Sequence, residues 1–135
     1  MVSVSTDDAL LDVERIHRWL SEDAYWARGR SRETVERSLR HSVNVGAYDD
    51  GELVGFLRLV TDRATFAWVC DVYVAPAARG RGVGKLLMTE AGRLLSSYGV
   101  RRAMLATADA HSLYAHHGFA PLADVERWMS RGYEQ

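Results

Sequence analysis

Apolar residues recur along this chain with two periods, and the switches between them lay out the elements. Val2 and Val4 alternate with Ser3 and Ser5, which reads as a short first strand. Thr6-Asp7-Asp8 offers capping side chains, and Leu10, Val13, Ile16 or His17, and Leu20 follow at helical spacing, so residues 8–20 read as an amphipathic helix. Ser31 reads as an N-cap, with Glu33 and Glu36 near the positive end of a second helix over 31–41 whose buried stripe holds Val35 and Leu39. Val43, Val45 and Ala47 return to period two. Asp49-Asp50-Gly51 then forms a hairpin turn, and Leu53 to Val60 comes back as the partner strand.

After a short connection at 61–64, an apolar β-branched run over roughly 65–75 closes at Ala75-Pro76. Val83, Leu86, Leu87, Ala91, Leu94, Leu95 and Tyr98 fall on one helical face, and Gly99 stops that helix as its C′ residue. Arg102 to Ala106 is a short apolar strand, Asp109 is placed to cap a helix from Ala110 to about His117, and a last stretch runs from Gly118-Phe119 to the apolar pair Trp128-Met129. The resulting order, β-α-α-β-β-β-α-β-α-β, is an α/β layout with an antiparallel first half and helices on both faces of the sheet. No repeat or low-complexity segment interrupts it.

The corner between the 65–75 strand and the long helix carries Arg79-Gly80-Arg81-Gly82-Val83-Gly84-Lys85. Three glycines remove Cβ atoms so that main-chain N–H groups crowd one concave spot, and the helix dipole turns its positive end there. Arg79, Arg81 and Lys85 add positive charge, which makes this a phosphate site. A Walker loop would need glycine where Arg79 stands and a hydroxyl where Leu86 stands. A dinucleotide fingerprint starting at Gly80 would need glycine where Lys85 stands. Both fail, which weakens a nucleotide-binding reading.

Arg79, Gly82 and Gly84 do occupy the three fixed places of Arg/Gln-x-x-Gly-x-Gly/Ala. This resembles the pyrophosphate-binding motif of the GNAT superfamily of N-acetyltransferases. A second anchor, Leu113-Tyr114-Ala115-His116-His117-Gly118-Phe119, is similar to the superfamily's Leu-Tyr-x-x-x-Gly-Phe element, with Ala110 at its usual alanine. Where members often carry a coenzyme-contacting asparagine, this chain has Thr107.

The resemblance implies a mostly antiparallel sheet of six to seven strands and direct acetyl transfer from acetyl-CoA to an amine, with coenzyme A as product. It places the pantetheine arm against the main chain of Val72, Tyr73 and Val74, and the diphosphate on the N–H groups of Gly80, Arg81, Gly82, Val83, Gly84 and Lys85. Thr107 and His111 join the coenzyme-binding set, and Tyr114 becomes the proton donor to the leaving thiolate. A phenol near pKa ~10 is a weaker acid than a thiol near ~8.5, so hydrogen bonding to the developing thiolate is the larger part of that role.

The remaining composition narrows the setting. At 135 residues the chain reads as one domain able to bury about two-thirds of its unfolded surface. A formal charge of -1 exerts no global pull toward nucleic acid or an acidic membrane, and no apolar run approaches the ~20 residues of a membrane span. The single cysteine, Cys70, suits a reducing compartment and a core position, and the N-terminus carries no secretion signal, so a cytoplasmic protein is expected. The reading calls for no metal.

Acceptor chemistry is less defined. Tyr25 and Trp26, set among Glu22, Asp23, Arg28 and Arg30, either wall a small-molecule pocket or cap the core beneath a loop. Glu22 and Asp23 beside those rings would welcome a cationic amine, a description that peptide N-termini, polyamines and aminoglycosides all meet. A primary amine of pKa ~10.4 must lose a proton first, at a cost of about 4–5 kcal/mol at pH 7. Asp71, a carboxylate in an apolar strand, is a candidate base because burial raises a carboxyl pKa; a structural acid paired with an arginine is the other reading. His111 and His116 are weaker base candidates, and His17 reads as a partly buried surface histidine. Asp71 and Tyr114 together favour an enzyme over a non-catalytic acyl-CoA sensor of the same fold, and an apolar last strand could pair two subunits.

Overall fold

The computed structural model describes residues 1–134. Five strands form one sheet in the order β1-β2-β3-β4-β5: β1 (Val2–Ser5), β2 (Val43–Asp49), β3 (Glu52–Thr61), β4 (Phe66–Val74) and β5 (Arg102–Met104). The first three pairings are antiparallel and β4–β5 is parallel, so the sheet is mixed. The parallel pair follows from its connection. A helix of 16 residues, α3 (Val83–Tyr98), carries the chain back across the sheet.

Alternation along the strands divides the apolar side chains between two layers. Val45, Ala47, Leu57, Leu59, Ala67 and Val69 face α3, where Val83, Leu87 and Ala91 meet them. Gly55 lets α3 settle close: a Cβ there would stand 2.8 Å from Val83 Cγ1. On the opposite face Phe56, Tyr48 and Tyr73 pack against α1 (Val13–Glu22) and α2 (Arg32–Arg40) through Ile16, Leu20, Val35 and Leu39. No helix among the described residues is long and apolar enough to cross a membrane.

Several sequence expectations hold at residue level. The Ser31 side chain accepts from Thr34 N at 3.1 Å, and Gly99 closes α3 with φ 74. The hairpin turns at Asp50 and Gly51, both at positive φ (53 and 81), as a two-residue turn matched to strand twist demands.

Others need correction. The expected helix over 8–20 is two pieces, a 3-10 turn at Asp8–Leu10 and then α1, because Asp7 and Asp12 each accept a main-chain N–H and start separate elements. Leu10, counted in the buried stripe, is 54% exposed. Asp109 does not cap α4 (His111–Ala115); the Thr107 hydroxyl accepts from Asp109 N and Ala110 N instead. The sheet has five strands where six to seven were expected. Residues 118–134 form no strand, only a 3-10 turn at Val125–Arg127, so the expected pairing of a last strand between subunits has no such strand to use.

Candidate active site

The site begins at a break in strand pairing. Against β3, Cys70 stands opposite Arg58 and Tyr73 opposite Phe56, which leaves Asp71 and Val72 facing the single residue Leu57. This is a β-bulge, and Asp71 takes its strained position at φ 53. The extra residue shifts the alternation. Val69 faces α3 before the bulge and Val72 and Val74 pack on that side after it, so Asp71 and Tyr73 turn toward α1 and α2. The parallel pairing to β5 ends at Trp68 opposite Met104. Beyond it the two strands part, and the edge of Val69 to Val74 on that side has no neighbouring strand.

The glycine corner lies at the C-terminal end of β4. Gly80 and Gly82 adopt left-handed backbone (φ 80 and 79), and Gly82 occupies the N-cap of α3. Among the described residues, none of the N–H groups of Gly80 to Lys85 donates to a protein acceptor. They form a cluster of unused donors at a helix start. The cations beside them differ in role. Arg79 Nε donates to the Val74 carbonyl at 2.9 Å while its Nη2 lies 3.5 Å from Asp23 Oδ2, so this arginine braces the corner. Arg81 pairs with Asp49 at 2.9 Å. Lys85 makes no ion pair among the described residues. A Cβ on Gly84 would lie 3.7 Å from Leu113 Cδ2 and 3.8 Å from Val74 Cγ2, so the first turn of α3 rests on both α4 and the end of β4.

A cleft of about 320 Å³ opens where β4 and β5 part. The sequence-selected residues Tyr25, Trp26, Asp71, Val72, Thr107 and Tyr114 all line it. The connection between α1 and α2 forms one wall, strapped to the far side by Ala108 N, which donates to Tyr25 Oη at 2.9 Å. Tyr25 and Trp26 meet edge to face at 5.0 Å between ring centres. Both rings line the cleft and are partly exposed, so neither is a buried cap on the core.

Asp71 is buried at the floor, with every carboxylate oxygen engaged. Its Oδ1 accepts from Trp26 Nε1 at 2.9 Å, and its Oδ2 accepts from Arg30 Nη1 and Arg58 Nε, each at 2.9 Å. Burial pushes the Asp71 carboxyl up, but the Arg58 and Arg30 guanidiniums and the bonds to Arg58 and Trp26 outweigh it and hold the group below the usual carboxylate range. The expectation of a raised pKa is therefore reversed. Tyr114 sits across the cleft on α4, its ring edge to face with Phe119 at 6.3 Å. Burial, with smaller contributions from Tyr25 and Asp109, pushes its hydroxyl up to about 12. Burial likewise lifts the Cys70 thiol to about 11, which does not suit a thiolate nucleophile; the residue is half-buried and lines the cleft, not the core position expected for it.

Glu22 and Asp23 do not join the cleft. Glu22 is exposed at the end of α1. Asp23 accepts from Tyr73 Oη and faces Arg79; the bond from Tyr73 lowers the Asp23 pKa, and burial, with that bond, raises the Tyr73 hydroxyl to about 12. The Tyr73 ring is stacked on Trp19 at 5.1 Å and faces away from the cleft, which leaves only its main chain for a ligand on the open edge. His111 lines an adjoining groove of about 400 Å³ that shares Thr107 and Tyr114 with the cleft, and His116 is exposed. Arg30, Arg58 and Trp68 line the cleft and were not selected from the sequence. One signal was available for Arg58: it is a lone cation in the apolar run Leu53 to Val60, one strand away from the lone anion Asp71.

The site thus combines a mixed sheet that splays with a cluster of unused amides beside it, and comparison with known proteins supplies the class. The model of the acetyltransferase (GNAT) family matches residues 13–119. A Gibberella zeae protein named as an acetyltransferase is 32% identical over 131 residues, covering 82% of this chain and 74% of its own. A solved structure from Xanthomonas campestris pv. campestris, assigned to the GNAT acetyltransferases, is 44% identical with a TM-score of 0.94, covering 98% of this chain and 94% of its own. A Staphylococcus aureus structure is 26% identical with a TM-score of 0.79, covering 98% and 100%. The chain belongs to the GNAT acetyltransferase family and is an acyltransferase.

Proposed function

We propose that the chain, acting as one domain, transfers acetyl from acetyl-CoA to a primary amine of a small molecule or peptide. The observation that carries this reading is the pairing of two vacancies in hydrogen bonding: six successive unused N–H groups at Gly80 to Lys85 and the open edge of β4. Hydrogen bonds to a charged acceptor are worth ~1.5–3 kcal/mol each, so a few of these amides suffice to hold a diphosphate. The cofactor fits on local grounds as well, since the positions a Cβ would take at Gly80 and Gly82 meet nothing within 4 Å. Val72 and Tyr73 offer main-chain groups on the open edge, whereas Arg79 already occupies the Val74 carbonyl.

Acetyl-CoA supplies the activated thioester. Tyr114, its hydroxyl protonated far above neutral pH, donates a hydrogen bond to the departing sulfur. Asp71 positions the guanidiniums of Arg30 and Arg58 and does not take the acceptor's proton, because both of its oxygens are occupied and its pKa is depressed. That proton leaves to water in the open cleft. Isothermal titration of the pure protein with acetyl-CoA, followed by a thiol-release assay over a panel of amines, tests the reading; folded protein that takes up no coenzyme overturns it.

A further inference from the structure

The charges at the floor of the cleft do not balance. Asp71 shares one carboxylate between two guanidiniums, and the side chains of Arg30, Arg58 and Asp71 are only 22%, 14% and 2% exposed. Arg58 spends Nε on Asp71 and Nη1 on Ser42 Oγ, at 2.9 Å each. Arg30 spends Nη1 on Asp71. That leaves Arg58 Nη2 and the Nε and Nη2 of Arg30 without a protein acceptor among the described residues. A half-buried excess of one positive charge is unfavourable unless something neutralises it. Asp109 also lines the cleft, but from the loop before α4, and it is exposed to water.

Building on the acetyl-transfer reading above, we infer that the acceptor amine carries a carboxylate, which Arg30 and Arg58 receive on their unused donors. The planar fork of a guanidinium matches a carboxylate with two parallel bonds, and one negative charge cancels the one left over. Tyr25, Trp26 and Trp68 line the same cleft with aromatic surface, so an apolar or aromatic side group on the acceptor packs there. Polyamines and aminoglycosides meet like charge at this floor. The acidic residues that would have welcomed them, Glu22 and Asp23, stand outside it.

The test uses matched acceptors with the full-length protein: phenylalanine, phenylalaninamide and phenethylamine, with glycine, glycinamide, ethanolamine and phosphoethanolamine as a second set. Thiol release should give kcat/KM, referred to the free-amine form of each acceptor, at least about tenfold higher for each acid than for its carboxylate-free counterparts. Arg30→Gln should erase that preference by raising KM for the acids, and Arg30→Lys, which keeps the charge without the fork, should fall between. Thermal unfolding of each variant identifies any that does not fold, and the wild-type panel decides the matter without them. Amides or amines equal to the acids, or a preference that survives in folded Arg30→Gln, overturns the carboxylate assignment, and phosphoethanolamine outperforming glycine replaces it with a phosphate. Coenzyme uptake by calorimetry with a flat or silent panel overturns this inference alone. No coenzyme uptake overturns the acetyl-transfer reading and this inference with it.

Discussion

Arg58 Nε and Asp71 Oδ2 lie 2.9 Å apart across adjacent strands, on the face that packs against α1 and α2. The bulge in β4 creates this contact. Without the extra residue Asp71 would share the α3 face with Val69, among apolar side chains and without a guanidinium. Replacing Asp71 by asparagine keeps a residue that tolerates φ 53 and removes the charge that both arginines share. Removing one partner of a buried pair leaves the others uncompensated, so Asp71→Asn should lose about 3–5 kcal/mol in denaturant unfolding. An unchanged midpoint would mean that the network contributes nothing to the fold.

The same pair sets an acid limit. Asp71 titrates below its ordinary 3.8 in the folded protein. A carboxyl depressed by folding stabilises the native state above the unfolded pKa, and that contribution is lost as pH falls through the folded value. Wild-type stability should therefore decline steeply as pH falls below about 4, and Asp71→Asn should decline less over the same range. Asp62, held low by Thr65, Ala64 and Phe66, titrates in both proteins, so the difference between the two curves isolates Asp71. Parallel curves would contradict the assignment.

Two glycines of the corner before α3 separate conformation from space. Gly82 needs φ 79, which a β-branched residue resists, while a Cβ on Gly84 meets only ordinary contacts at 3.7 and 3.8 Å. Gly82→Val should abolish coenzyme uptake in calorimetry, and Gly84→Ala should keep it within a few-fold. Equal behaviour of the two would show that backbone conformation at residue 82 is not what forms the site.

Tyr114→Phe should lower kcat by about a hundredfold and leave the Kd for coenzyme A within two-fold, because the lost hydrogen bond matters only as charge develops on sulfur. Equal rates would remove Tyr114 from the chemistry.

Asp71 is committed to arginines, and among the described residues the cleft lining holds no histidine and no other carboxylate than the exposed Asp109. The pH profile of kcat/KM should then follow the acceptor. Changing to an amine one pKa unit lower should move the rising limb down by about one unit. A limb fixed near pH 6–7 for every acceptor would reveal a base on the protein.

Periodicity, capping and turn chemistry were legible in the linear chain because they act over a few residues: the Asp50-Gly51 turn, the Ser31 cap, the αL stop at Gly99 and the glycine corner before α3. Tyr114 and the corner were likewise legible, as short motifs whose spacing is local. Only the folded molecule decided what depends on distant partners. A single inserted residue in β4 reversed the facing of Asp71 and delivered it to Arg30 and Arg58, 41 and 13 positions away, which changed a prospective base into a counter-ion. The same folding turned Asp23 toward Arg79 and Tyr73 and left two guanidiniums on one carboxylate at the floor of the cleft, because side-chain charge is read by neighbours in space and those neighbours are set by strand register.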